Sequence, residues 1–225
     1  MKKFAIIVAG GTGTRMGGPI PKQFQLLDGH PVLWYSVRAF ADAFQDIRIV
    51  LVLLPDFMKQ GEELARQFPA HQFGFADAGN TRYHSVKNGL SLVREDGIVF
   101  VHDAVRCLVT PQLIRSCYQA AVAEGNAIPA ISATDSVRLQ TDNGNQQLLR
   151  KNVRMIQTPQ TFQHRILADA FVQEWSEEFT DEASVVEKTG VRIHLVEGES
   201  TNIKITQPVD LLVAESILHD RTGRK

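Results

Sequence analysis

Phe4-Ala5-Ile6-Ile7-Val8 runs straight into Ala9-Gly10-Gly11-Thr12-Gly13-Thr14-Arg15-Met16-Gly17-Gly18. Consecutive apolar residues bounded by glycines read as a strand buried on both faces. Glycines directly after such a strand let the backbone approach a ligand closely, and successive N–H groups there can cradle phosphate oxygens. Two standard versions of that loop are excluded. A dinucleotide fingerprint counted from Gly11 needs glycine where Met16 stands, and an NTPase phosphate loop needs Gly-Lys-Ser/Thr, which is absent. What remains is either an anion cradle with Arg15 at its end and Lys22 seven residues on, or a turn with two solvated charges.

Outward from this stretch, further apolar runs of strand length occur at Ile47 to Leu54, Gly97 to Val101, Ala127 to Ile131 and Val191 to Val196. Segments of helical period lie between and beside them, at Pro31 to Phe44, Met58 to Phe68, Thr81 to Val93, Pro111 to Glu124 and Gln163 to Trp175. Pro31 and Pro111 suit a first helical turn and Thr110 an N-cap. Alternating β and α elements predict an α/β fold, a doubly wound and mostly parallel sheet with right-handed crossovers. Ligands of such sheets sit at the carboxyl ends of the strands.

Ser136 to Arg150 breaks the rhythm: Asn143-Gly144 between two short alternating runs predicts a β-hairpin, lying on its own sheet or reaching a neighbour. With 225 residues and no linker, repeat or low-complexity stretch, the expectation is one domain over 1–225 with 136–150 as a projecting arm. Arg221 to Lys225 reads as a frayed tail.

Composition narrows the function classes. At 44% hydrophobic and 22% charged the chain is that of an ordinary globular protein. A net charge of −1 disfavours a general nucleic-acid or anionic-membrane binder, so any anion site is a local cluster. Cys107 and Cys117 are too few for a disulfide framework or four-thiolate metal site and suit a reducing compartment. The apolar run after Met1-Lys2-Lys3 is shorter than a signal-peptide core, and nothing approaches the roughly 18 apolar residues of a membrane span. The expected location is the cytoplasm.

Three further polar clusters stand out. His102-Asp103-Ala104-Val105-Arg106 follows a strand; its acid could hold sugar hydroxyls or a divalent cation, or pair with an arginine to stabilise the loop, while His102 reads as loop packing. The others are Gly79-Asn80-Thr81-Arg82-Tyr83-His84-Ser85, and Asn202-Ile203-Lys204-Ile205-Thr206 ahead of Pro208 and an apolar helix.

In this order and spacing, the clusters resemble the 2-C-methyl-D-erythritol 4-phosphate cytidylyltransferase family of the non-mevalonate isoprenoid pathway. The resemblance spans nearly the whole chain and also takes in Pro21-Lys22-Gln23-Phe24, Arg150, Thr158-Pro159-Gln160 and Thr180-Asp181-Glu182-Ala183-Ser184. It implies a Rossmann-like nucleotidyltransferase in which Arg15 and Lys22 stabilise the transition state at the α-phosphate of CTP. It further implies that Arg150 and Lys204 position the sugar phosphate, that Asp103, Arg106 and Ser136 face it, and that Ala9, Gly10, Gly11, Gly13, Gly79, Asn80 and Ser85 hold the nucleotide. By the same resemblance the hairpin is a dimerisation arm lending its arginine to the partner's site in a homodimer. Gly10 stands where the family often has Ala, Asn80 where an acid is frequent, Cys107 where Pro is usual and Ser136 where Thr is usual.

The chemistry suits these residue types. A sugar phosphate has a second pKa near 6, so it is already a nucleophile at neutral pH and needs no general base. Cations, backbone N–H groups and in-line positioning, usually with Mg²⁺, do the rest. Ribitol 5-phosphate cytidylyltransferases share the glycine loop and the Asp-Ala-Val-Arg string; Arg82 to Val86 and Thr180 to Ser184 look closer to the isoprenoid enzyme. An NAD-dependent oxidoreductase would need an acid at the end of a second strand about 20 residues past the glycines, where Pro31-Val32-Leu33-Trp34-Tyr35 starts a helix. A non-catalytic nucleotide-binding module would have no use for Arg15, Lys22, Arg150 and Lys204 together.

Overall fold

A computed structural model describes residues 1–11 and 20–223. The chain opens with β1 (Lys2–Ala9), passes a short ladder of β2 (Leu26–Leu27) and β3 (His30–Pro31), and enters α1 (Val32–Ala43), with Pro31 as its N-cap. There follow β4 (Ile47–Leu53), α2 (Met58–Ala65), β5 (Gln72–Asp77), α3 (Arg82–Leu90), β6 (Gly97–Asp103), α4 (Pro111–Glu124) and β7 (Asn126–Ser132). Beyond them come the hairpin β8 (Val137–Thr141) and β9 (Gly144–Leu148), then β10 (Arg154–Ile156), β11 (Gln160–Gln163), α5 (His164–Ala170), α6 (Glu182–Glu187), β12 (Leu195–Glu197) and α7 (Pro208–Thr222).

The sheet is ordered β10-β7-β11-β6-β1-β4-β5, with β12 paired in parallel to β7. β1, β4, β5 and β6 run parallel, while β11 is antiparallel to both β6 and β7. From β1 the chain winds through α1 to β4 and β5, then returns to the other edge of β1 as β6. The strand order therefore reverses between β1 and β6, and their carboxyl ends flank the crevice where such sheets bind ligands. Both faces are covered, as apolar residues at consecutive strand positions require. Ala5, Ile7, Ile49, Leu51 and Phe100 pack with Leu33, Val37 and Phe40 of α1 on one face. Phe4, Ile6, Val50, Val52, Val99 and Val101 pack with Val86 of α3 on the other.

Several sequence expectations shift. The strand read at Val191 to Val196 begins only at Leu195, because the Asn126 side chain takes the backbone partners ahead of it, donating to Arg192 O (2.9 Å) and accepting from His194 N (2.8 Å). The helix read over Gln163 to Trp175 is confined to His164–Ala170, since Gln163 ends β11, which pairs with β6. The helices read to Phe68 and Val93 end at Ala65 and Leu90 in tight turns. Arg221 is not frayed: it donates to Leu108 O and to Thr201 Oγ1, both at 2.8 Å.

The hairpin forms a two-stranded sheet of its own, and its strands are almost wholly exposed. Thr141 pairs with Gly144, so its turn is Asp142-Asn143 rather than Asn143-Gly144. Both central residues keep negative φ, and the positive φ, 122°, falls on Gly144, the first residue after the turn.

Candidate active site

The register puts the site's parts side by side before any side chain is considered. Val8 of β1 is opposite Asp103 of β6, and Ala104 N donates to Val8 O at 3.0 Å, so the first glycine loop and the Asp103 loop leave the sheet together. Lys22 and Gln23 are buried in a 3-10 turn after Pro21. The Gln23 amide donates to Ala9 O (2.6 Å) and Gly11 O (2.9 Å), pinning the strand end from above. Lys22 Nζ donates to Ile205 O at 2.9 Å, and Ile205 N in turn donates to Val105 O at 2.9 Å. The Asn202 to Thr206 segment is thereby drawn over the mouth of the sheet.

The opposite wall comes from the connection between β5 and α3. Thr81 caps α3, accepting from His84 N. The buried Ser85 hydroxyl accepts from Gly79 N and donates to Thr81 O, both at 3.0 Å. Gly79 has no room for a side chain, since a Cβ there would lie 2.3 Å from His84 Cβ and 2.8 Å from His84 C. The space enclosed is about 440 Å³. Ala9, Gly10, Gly11 and Lys22 line one side, Gly79, Asn80 and Ser85 another, and Asp103 and Lys204 a third.

A row of alternating charges fixes the third side. Arg82 donates to both carboxylate oxygens of Glu182, which is buried, and Arg82 Nε donates to Asp103 Oδ1 at 3.1 Å. Lys204 Nζ holds the other Asp103 oxygen at 2.8 Å. Burial alone would raise the Asp103 carboxyl, but the Arg82 and Lys204 charges outweigh it and hold the group well below the usual carboxylate range. Burial likewise works against the Arg82 charge, yet Glu182 and Asp103 raise it above its ordinary value. Glu182, with less compensation for its burial, is pushed upward.

His102 does not face the cavity. Burial drives it down to about 3, leaving a neutral imidazole between Arg106 O (3.2 Å) and Thr158 Oγ1 (2.9 Å). A carbonyl only accepts, so Nε2 carries the proton and Nδ1 accepts from Thr158, whose oxygen receives Asp103 N at 3.1 Å. His102 thus orients the backbone that presents Asp103.

Other candidates stand elsewhere. The arginine paired with Asp103 is Arg82, not its near neighbour Arg106, whose guanidinium donates to Asn202 O (2.8 Å) and Ile156 O (3.2 Å) outside the cavity wall. Ser136 and Arg150 are exposed at the roots of the hairpin, where Arg150 Nη1 donates to Thr134 O at 2.7 Å. Gly13 and Arg15 lie outside the described residues. Gln23, Arg82, Thr158 and Glu182 were given no individual role by sequence reading, although each belongs to a string that drew notice. Cys107 and Cys117 are buried free thiols, both pushed up to about 12 by burial and unreactive at neutral pH.

Two lysines and a glycine-lined backbone surround a cavity whose described carboxylate, Asp103, is already paired with cations, an arrangement able to receive an anion. Residues 4–220 match the 2-C-methyl-D-erythritol 4-phosphate cytidylyltransferase family. The chain belongs to that family. A cytidylyltransferase of this name from Bacteroides thetaiotaomicron is 43% identical over 222 residues, covering 97% of this chain and 100% of that one. One from Rubrobacter xylanophilus is 42% identical over 228 residues, covering 98% and 96%. Among solved structures, the 4-diphosphocytidyl-2C-methyl-D-erythritol synthase of Anaerococcus prevotii superposes with a TM-score of 0.82 at 25% identity over 97% of this chain and 99% of that one. The Francisella tularensis cytidylyltransferase gives 0.77 at 30% identity over 96% and 99%. No helix among the described residues is long and apolar enough to cross a membrane.

Proposed function

We propose that the chain joins CTP to 2-C-methyl-D-erythritol 4-phosphate, giving 4-diphosphocytidyl-2-C-methyl-D-erythritol and pyrophosphate, in the cytoplasm. A phosphate oxygen of the sugar bonds to the α-phosphorus of CTP as the bond from that phosphorus to the bridging oxygen breaks, and pyrophosphate leaves with the electron pair. The observation that carries this reading is that Lys22 and Lys204 both line one glycine-lined cavity. A dianionic nucleophile needs no base, and the neutral, buried His102 supplies none.

In this reading Lys22, with Arg15, meets charge developing at the α-phosphate, and the backbone of Ala9, Gly10, Gly11 and Gly13 lies against the nucleotide. Gly79, Asn80 and Ser85 hold the base, and Asp103 holds Lys204 toward the sugar phosphate. No three His, Cys, Asp or Glu residues gather into a cation site among the described residues, and Asp103 is the carboxylate among those described that line the cavity. That suits Mg²⁺ carried on the nucleotide, since magnesium commonly binds through one or two carboxylates plus substrate phosphates; bound there, it would neutralise phosphate charge. The names of the relatives favour methylerythritol phosphate over ribitol 5-phosphate. The test is pyrophosphate release from CTP with each sugar phosphate: turnover with the first alone supports the proposal, and turnover only with the second overturns it.

Two further parts of the reading concern assembly. The chain acts as one domain of residues 1–225 and as a homodimer, with Ser136, Arg106 and the partner-directed Arg150 completing the sugar-phosphate side. Support comes from the exposed hairpin, because an isolated two-stranded hairpin is at best marginally stable in water and closed twofold dimers are the commonest homo-oligomers.

A further inference from the structure

The two walls of the cavity meet at a single methyl group. A Cβ built on Gly10 would stand 2.3 Å from Ala78 Cβ and 3.7 Å from Ser85 Oγ. Two carbons cannot share the first distance, so positions 10 and 78 contest one methyl-sized slot, and Ala78 holds it. Backbone torsion is not what demands glycine at position 10, because its φ lies outside the left-handed region. The neighbouring glycines differ. Gly79 is confined partly by the backbone of His84, and a Cβ on Gly11 would meet nothing within 4 Å among the described residues. Among the described residues, the group that blocks a Cβ at Gly10 is a methyl that a single substitution would remove, the Ala78 Cα behind it lying at an ordinary contact distance of 3.5 Å.

Gly10 follows β1, and Ala78 follows β5, where Ala78 N donates to Leu53 O at 2.7 Å. Both walls are pinned from behind, one by the Gln23 amide on Ala9 O and Gly11 O, the other by the Ser85 hydroxyl on Gly79 N. Close-packed walls held in this way transmit a change of one methyl to their spacing instead of absorbing it. We propose that Ala78 is a positioning residue for the nucleotide: its methyl sets the gap between the Ala9 to Gly11 wall and the Gly79 to Asn80 wall, with Gly10 as its complement. This rests on CTP occupying the cavity. It also explains the glycine at position 10, since an alanine there has no room while Ala78 is present.

The test is a cycle of four proteins: wild type, Gly10→Ala, Ala78→Gly and the double variant, each measured for melting temperature, kcat and KM for both substrates. Gly10→Ala is expected to raise KM for CTP about tenfold, with KM for the sugar phosphate within about twofold, because small misplacements around a bound substrate are costly. Ala78→Gly widens the gap and raises KM for CTP by about threefold, and the double variant returns to within about twofold of wild type, the non-additivity expected of groups in contact. Wild-type KM for CTP in Gly10→Ala overturns the proposal, as does a double variant no better than Gly10→Ala. If Gly10→Ala fails to fold, the double variant decides: folded with near-wild-type KM for CTP it supports the proposal, and unfolded it overturns it. Recovery of melting temperature without recovery of KM for CTP also overturns it, since the methyl then serves only the fold. Failure of the wild type to consume CTP would instead overturn the functional reading, and shows in the first of the four proteins.

Discussion

The cavity and the hairpin are built on opposite principles. Around the cavity, side chains from distant parts of the chain are locked to one another: Lys22 on Ile205, Arg82 on Glu182 and Asp103, Lys204 on Asp103. The hairpin has backbone pairing between its own strands and little burial, and its Arg150 rests on a carbonyl of the adjoining segment. A polar group that will meet a dense negative charge must be preorganised, and cross-bracing supplies that within one chain. An exposed arm is organised only by what it packs against. The described side chains around the cavity are thus braced within one chain, whereas the exposed hairpin, with Ser136 and Arg150 at its roots, has little beyond its own pairing to organise it.

The hardest blow to this contrast falls on the braced side. Lys22→Ala should fold normally and lose about 10²–10³ in turnover, the usual effect of deleting one preorganised donor; a circular dichroism melt beside a steady-state assay checks both statements. Mixing that variant with Arg150→Ala probes the arm. If Arg150 acts across a twofold axis, random re-pairing leaves about a quarter of all sites free of both lesions, and activity returns to about that fraction of wild type. A mixture that stays inactive despite demonstrated heterodimers would place Arg150 in its own chain's site.

Acid should undo the braced side. In the unfolded chain His102 takes up a proton near 6.5, but in the fold it stays neutral down to about 3. Across that interval the unfolded state binds the extra proton, so stability falls as pH falls, by up to about 1.4 kcal/mol per pH unit for one such group. Asp103 has a depressed folded value, so the stability it contributes is complete above its unfolded value of 3.8 and is lost below it as pH falls. Denaturant titrations from pH 7 to 4 should show His102→Gln with a shallower decline than wild type; equal slopes would break the assignment.

Two glycines separate the cavity from the arm by smaller effects. Gly11→Ala meets no atom of the described residues within 4 Å, so the melting temperature should hold while KM for CTP rises about tenfold through contact with the ligand. At the other extreme, Gly144→Ala strains a φ of 122° at the hairpin turn. Because the arm is exposed and separate from the main sheet, global stability should drop by less than about 1 kcal/mol, with proteolysis at the turn the more sensitive measurement.

What sequence reading reached follows the same division. β1, β4 and β6 were legible because their residues are apolar on both faces, which only a covered sheet explains. β5, reading Gln72-Phe73-Gly74-Phe75-Ala76-Asp77, was missed: it is a half-buried edge strand with glycine inside it and polar residues at its ends. β11 was hidden because Gln160 and Thr161 are polar, and their burial arises from pairing with β6. At the site, Asp103 stood out after a predicted strand, Lys22 beyond the glycine loop and Lys204 in a polar string ahead of an apolar helix. Their wiring did not, because Arg82 and Glu182 are 100 residues apart and no spacing rule links them.

One consequence concerns the order in which the chain is made. The carbonyl that receives Lys22 belongs to Ile205, and Asp210 of α7 fixes the next residue, accepting from Thr206 N (2.7 Å), Thr206 Oγ1 (2.9 Å) and Gln207 N (2.8 Å). A chain emerging from a ribosome from its N-terminus can pair β1 with β4 and β6 early. It cannot seat either lysine until the last helix is out of the exit tunnel. The sheet can therefore form before its mouth is braced, and a chain lacking α7 would keep the sheet while losing the Asp210 clamp on Thr206 and Gln207.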